Sequence, residues 1–243
     1  MGSGLLIALA YQLSAQSGPV DQALRATESP DTLRAAFTIR LVSDDAMREF
    51  RFDPRLDVSE RWQLVASRGR DDDLDETALE WSQEPAPDGR LFPDDLRPSV
   101  GARVDVSDLG AAWRVRFRHH PSLNDTELDA WFAERVDAEA WLDPQSGRFM
   151  RLDYELPHPV RGPKGGRLTA FEQSYLLESD PNWGFSYVAS YSLSMTAKGG
   201  FRTIERHYTA TVTSIEIFFA NPQAEADYEA RRQSASGRGL AAR

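Results

Sequence analysis

The sequence predicts an α+β protein built on one large, strongly curved antiparallel β-sheet. Three observations lead there. Residues 136–219 divide into long period-2 alternations separated by Pro- and Gly-rich turn signals. Helical spacing is confined to short stretches outside that region. The last alternation changes phase partway along, as a strand does where a bulge bends the sheet.

Taken from its start, the chain opens on Leu5-Leu6-Ile7-Ala8-Leu9-Ala10-Tyr11-Gln12-Leu13, an apolar run. It is too short to span a bilayer, which takes ~20 residues, but it suits the core of a secretory signal. Ala15 and Ser17 are small and spaced for cleavage after Ser17, although no Lys or Arg precedes the run. Residues 1–17 are therefore expected to be a signal peptide and the mature protein to be periplasmic. The other reading is an N-terminal strand or helix packed on the core.

Composition narrows the function classes. Acidic side chains outnumber basic ones 38 to 28, a net charge of −10, which argues against general affinity for nucleic acid or anionic lipid surfaces. With no cysteine there is no disulfide scaffold, thiolate metal site, cysteine nucleophile or thiol to acylate as an anchor. No other stretch reads as a membrane span. A hydrophobic content of 41% over 243 residues supports one sizeable domain.

Pro19-Val20-Asp21-Gln22-Ala23-Leu24 predicts a first helix, with Pro near N1 and Asp in the first turn. Phe37, Ile39 and Leu41 then alternate with Thr38 and Arg40, Phe50 and Phe52 share a face of a second strand, and residues 62–66 form a third. In Asp71-Asp72-Asp73-Leu74-Asp75-Glu76 the acids precede Leu74, Ala78 and Trp81 at helical spacing, so they suit a helix N-terminus. A calcium loop would need Gly and a bidentate acid at fixed spacing, and neither stands there. Residues 84–100, rich in Pro, Asp and Gly, read as a long surface loop inserted in the domain.

Trp113, Val115 and Phe117 alternate with Arg114, Arg116 and Arg118. This arginine stripe is expected to pair across strands with acids such as Asp137 and Glu139; gripping an anionic group such as a lipid headgroup is the other use. Asn124 or Asp125 would cap a helix carrying Leu128, Trp131 and Phe132. Next comes a hairpin: Val136, Ala138, Ala140 and Leu142 lead into Asp143-Pro144-Gln145-Ser146-Gly147, and Met150, Leu152, Tyr154 and Leu156 return on one face. Phe171, Tyr175 and Leu177 face one way in the following strand. Phe185, Tyr187, Ala189, Tyr191, Leu193 and Met195 then oppose a face of mostly Ser and Thr. In the last strand Tyr208, Ala210 and Val212 fall out of phase with Ile215, Ile217 and Phe219. At ~3.3 Å per residue such strands span on the order of 40 Å or more, and strands of that length wrap. Residues 221–243 read as a polar tail that frays after a short helix.

No catalytic signature emerges, and no cofactor or metal is called for. His119 and His120, adjacent on a strand, point to opposite faces, and no His pair has metal-ligand spacing. There is no Gly-x-Ser-x-Gly elbow, and Gly162-Pro163-Lys164-Gly165-Gly166 lacks the Gly-Lys-Ser/Thr order of a phosphate cradle.

The layout of a signal-like start, a helix, Leu33 and Ala36-Phe37 opening the first strand, and Ala140-Trp141-Leu142-Asp143-Pro144-Gln145-Ser146-Gly147-Arg148 resembles the LolA-like superfamily. That group comprises periplasmic lipoprotein carriers and related lipoprotein-sorting proteins. The resemblance implies one domain over residues 18–220, an unclosed half-barrel with helices covering its concave face. It further implies a non-enzymatic function, sheltering an acyl chain or an apolar segment of a lipoprotein. The residues expected to line such a site are Phe37, Ile39, Phe50, Phe52, Trp113, Phe117, Leu152, Tyr154, Tyr187, Tyr191 and Tyr208, each of which would also suit a plain core. Two other functions remain open: a structural or regulatory module that receives an envelope protein on a face or edge of the sheet, and a hydrolase of an envelope polymer using two unidentified acids.

Overall fold

The computed structural model describes the backbone of residues 18–84, 86–94, 96–121, 127–162, 165–200 and 202–240, with side chains except at 101–104, 127–129 and 235–240. The expected signal peptide, the capping residues Asn124 and Asp125, and Pro163 and Lys164 lie outside the described residues, as does the Leu128 side chain.

Among the described residues there are eleven strands in one antiparallel sheet, and five α-helices. The strands are β1 (Leu33–Val42), β2 (Ala46–Phe52), β3 (Trp62–Gly69), β4 (Val100–Asp108), β5 (Trp113–His119), β6 (Asp137–Asp143), β7 (Arg148–Glu155), β8 (Val160–Arg161), β9 (Arg167–Ser179), β10 (Ser186–Gly199) and β11 (Arg202–Phe219). The helices are α1 (Pro19–Thr27), α2 (Asp72–Ser82), α3 (Leu96–Ser99), α4 (Glu127–Ala133) and α5 (Pro222–Leu240), with a 3-10 turn at Pro87–Leu91. Strand order is β3-β2-β1-β11-β10-β9-β7-β6-β5-β4, with β8 beside β9. The two ends do not meet, so the sheet is open. The fold is α+β.

β11 joins the sheet's two halves. Its first part pairs with β10 through Thr211, and its second part pairs with β1 from Thr209 to Phe219. Thr38 lies opposite Ser214 and Ile39 opposite Val212, leaving Thr213 unpaired. The phase change expected between Val212 and Ile215 is this bulge, which keeps the apolar series of β11 on the face that carries Phe37 and Ile39.

Two further bulges correct the expected faces. Leu142 pairs with Phe149 and Trp141 with Arg151, so Met150 is the extra residue. Phe149 turns inward at 3% exposure and Met150 outward at 38%, the reverse of the simple alternation. At Ala189 the register with β9 slips as well, so Tyr187 faces away from Tyr191 although both share a phase in the sequence.

The core has two main parts. One gathers β1, β2 and β11 with Leu74 and Ala78 of α2, and there Trp62 stacks on Phe50 at 5.1 Å. The other gathers β5, β6, β7 and β9 with Ala23 and Leu24 of α1. Each fully buried aliphatic side chain, such as Leu41 or Leu142, contributes about 2 kcal/mol.

Helix α2 starts where the acidic run predicts. The Asp71 carboxylate accepts from the amides of Asp73 and Leu74, both at 3.0 Å. Arg48, buried on the inward face of β2, anchors it: Nε and Nη2 bond Asp75 at 2.6 and 3.1 Å, and Nη1 donates to the Met47 and Arg68 carbonyls. Residues 84–100 do not form the expected surface loop. Pro87, Asp88, Leu91, Phe92, Leu96 and Ser99 are buried, because the segment lies against β1 and β10 through its 3-10 turn and against α1 through α3. The polar tail also differs from expectation. Asn221 caps α5 by accepting from the Ala224 amide at 2.8 Å, and Tyr228 packs on Phe185 and Phe219 at 5.1 and 5.2 Å. One aromatic anchor and one cap are what the polar composition concealed.

Two turns separate backbone strain from steric conflict. Gly147 has φ +66° with open space where a Cβ would stand, whereas at Gly69, φ +69°, a Cβ would lie 1.9 Å from the Asp45 carbonyl oxygen. Gly147→Ala is expected to cost about 1 kcal/mol and Gly69→Ala more than about 2 kcal/mol, read by urea unfolding. Asp53 supplies a pH-dependent link. Its carboxylate pairs with Arg55 at 2.8 and 2.9 Å, and Arg55 continues to Glu216 on β11. The Arg55 guanidinium holds the Asp53 carboxyl below its usual range. A lowered folded value means that the stabilisation is full above the unfolded carboxylate pKa, about 4, and is lost as pH falls through the folded value. The melting-temperature gap between wild type and Asp53→Asn should therefore be widest at neutral pH and close below about pH 4.

Candidate functional site

A cavity of about 430 Å³ lies between the inward face of the sheet and the segment that holds the 3-10 turn and α3. Phe37 and Ile39 of β1, Ala210 and Val212 of β11, and Val188 of β10 form its apolar wall. Leu152 and Tyr154 of β7, Gln173 and Tyr175 of β9, and Tyr191 of β10 continue it. Over them stand Trp81 at the end of α2, Arg90, Leu91 and Phe92 from the turn, Leu96 of α3 and Phe132 of α4. Its volume falls within the ~300–1,000 Å³ typical of small-molecule sites.

The overlying turn is tied down by a buried carboxylate: Asp88 Oδ2 accepts from the Ala35 amide of β1 at 3.2 Å. Arg90 is held from behind by Glu84, with Nε to Oε2 at 2.6 Å and Nη2 to Oε1, and its guanidinium lies 5.5 Å over the Trp81 ring. That grip leaves Nη1 turned from the carboxylate.

Tyrosines crowd one part of the wall. Tyr154 meets Tyr175 edge-on at 6.1 Å, Tyr175 and Tyr191 are 5.0 Å apart, and Tyr191 and Tyr208 are 5.7 Å apart. His119 sits edge-on to Tyr154 at 5.2 Å. The Gln173 amide donates to the hydroxyls of Tyr175 and Tyr191 at 2.8 and 3.2 Å. Burial raises the pKa of Tyr154, Tyr175, Tyr191 and Tyr208, so all four stay neutral phenols at physiological pH. Tyr154, Tyr175 and Tyr191 border the cavity.

Of the residues expected to line a site, Phe37, Ile39, Leu152, Tyr154 and Tyr191 come together at the cavity. Tyr208 touches Tyr191 from beside it. Phe50 and Phe52 instead pack under Trp62 in the core, Trp113 packs in the second core, and Phe117 stands behind Tyr154 at 6.5 Å. Tyr187 lies on the opposite face because of the Ala189 bulge; burial and its bond to Glu178, 2.9 Å, push its pKa up to about 12. The residues of 84–100 that border the cavity were missed. The apolar pair Leu91-Phe92 inside a Pro-rich stretch was the available signal.

A more open trough of about 980 Å³ is lined by charged side chains of β5, β6 and β7. Arg116 pairs there with Glu139 at 2.8 Å and Arg151 with Asp153 at 2.7 Å, and for an apolar ligand the smaller and more apolar hollow is the better site. The Arg116–Glu139 pair is the cross-strand use expected for the arginine stripe. Among the described residues, no three or more His, Asp or Glu side chains stand together as metal ligands, and no helix is long and apolar enough to cross a membrane.

Compared with protein-family models, curated proteins and solved structures, the chain gives no match.

Asp88→Ala should free the turn from β1. The expected cost is about 1–2 kcal/mol, with faster amide exchange across Pro87–Leu91 and unchanged protection in β9 and β10.

Proposed function

We propose that this chain is a non-enzymatic periplasmic binding protein of LolA-like design. Its sheet acts as a curved half-barrel, with the helices and the 3-10 turn covering the concave face, and it shelters an acyl chain or an apolar lipoprotein segment. The observation that carries the reading is the hollow of about 430 Å³ between the sheet and its overlying segment, with aromatic and aliphatic side chains on both sides. Bulges at Met150, Ala189 and Thr213 support curvature, since each bends and coils its strand. Apolar side chains line most of the hollow, as a lipid-binding site requires.

A second reading, a module that receives an envelope protein, draws on β3. This edge strand carries Leu64 and Val65, each 55% exposed, beside backbone groups that have no neighbouring strand among the described residues. Such an edge can accept an added strand.

One experiment separates the two. The protein, expressed for export and purified from the periplasm, is extracted with organic solvent and titrated with a neutral fluorescent acyl probe. Recovered lipid and saturable uptake are expected. Val212→Trp, which places an indole in the hollow, should weaken uptake by roughly tenfold or more while the circular dichroism spectrum is retained. No lipid, no uptake and a stoichiometric copurifying polypeptide would favour the edge reading instead.

A further inference from the structure

We propose that the cavity selects a single-chain anionic amphiphile, an acyl chain ending in a carboxylate, whose head is held by Arg90 and the tyrosine hydroxyls. This rests on the binding reading above and goes beyond it by naming the head.

Charge is the first observation. The chain carries 38 acids against 28 bases, yet the described residues that line the cavity include no Asp or Glu. They include one guanidinium, Arg90, and one imidazole, His119. The lining itself is thus free of carboxylates, and the one that meets Arg90, Glu84, stands outside it. Arg90 is also preorganised: Glu84 occupies its Nε and Nη2 edge and Trp81 supports its plane. The Nη1 protons are left for an acceptor, and no hydrogen bond from Nη1 to a described residue competes for them.

The second observation is the direction of the hydrogen bonds. Tyr175 and Tyr191 accept from Gln173. Each hydroxyl that accepts retains its own proton to give. The Tyr154 hydroxyl has no hydrogen-bond partner among the described residues. Arg90, Tyr154, Tyr175 and Tyr191 all border the same hollow. Guanidinium and phenols thus offer one ligand group several donors. A carboxylate only accepts, so it matches them; an alcohol matches them in part, and an ammonium head would meet donors and a like charge. Phe37, Ile39, Leu152 and Val188 supply apolar wall for the chain.

The test is displacement of the neutral probe from the full-length protein by palmitic acid, hexadecanol and cetyltrimethylammonium. At neutral pH palmitate should displace the probe at a concentration about tenfold or more below that of hexadecanol, with the ammonium weakest. The advantage should vanish below the carboxylate range, about pH 4, where the head is neutral. In Arg90→Gln palmitate should displace the probe no better than hexadecanol does, with a retained circular dichroism spectrum showing that the fold is intact. Equal binding of acid and alcohol in the wild type, tighter binding of the ammonium, or an acid preference that survives Arg90→Gln would overturn the head assignment and leave the binding reading standing. Failure of the probe and of all three amphiphiles to bind would overturn the binding reading itself. The wild-type preference and its loss on acidification need no variant, so a poorly folding Arg90→Gln cannot shield the proposal.

Discussion

The connection between β3 and β4 constrains everything else. These strands follow one another in the chain, yet they form opposite edges of the sheet. Residues 70–99 must therefore travel the full width of the sheet, and they do so as α2, the 3-10 turn and α3, touching β2, β1 and β10 on the way. A chain forced across an apolar surface is stable only if it is apolar on its underside. Leu74, Ala78, Leu91, Phe92 and Leu96 meet that demand. Arg48 and the backbone amide of Ala35 fix the crossing at Asp75 and Asp88. The hollow is what remains where the crossing segment stands off the sheet.

The sheet in turn depends on β11. Without its pairing to β1, the β1–β3 meander would have no hydrogen-bonded link to the other strands. That pairing works only because Thr213 is extruded. A strand with strict alternation would turn Ile215, Ile217 and Phe219 away from Phe37, Ala35 and Leu33, their partners across the ladder. Arg55, bonded at once to Asp53 and Glu216, reinforces the same junction from the outer side.

Much of this was legible in the residues. Period-2 alternation located nine of the long strands, and the Asp71–Glu76 acids and Leu74 spacing placed α2. Even the bulge in β11 was written as a phase change. Bulges at Met150 and Ala189 were not, because Phe149 and Tyr187 are as apolar as the neighbours that replaced them in phase, so the pattern offered no contradiction to read. That is why Tyr187 was grouped with Tyr191. The crossing segment was hidden for another reason. Local composition rich in Pro, Asp and Gly reports turn chemistry, whereas burial of Leu91 and Phe92 follows from which strands become edges, and pairing order is not a local property. Five of the eleven expected lining residues meet at the cavity because they share the face of long strands; Arg90 and Gln173 escaped notice because a polar residue announces an inward position only through its partners.

The crossing segment is fastened to both margins of the sheet by covalent chain, so sheet and segment behave as a bow and its string. Flattening the strands would draw the string taut over the hollow, and deeper bending would slacken it. Any widening of the interior would therefore bear on the shape of the whole ladder as well as on the turn above it.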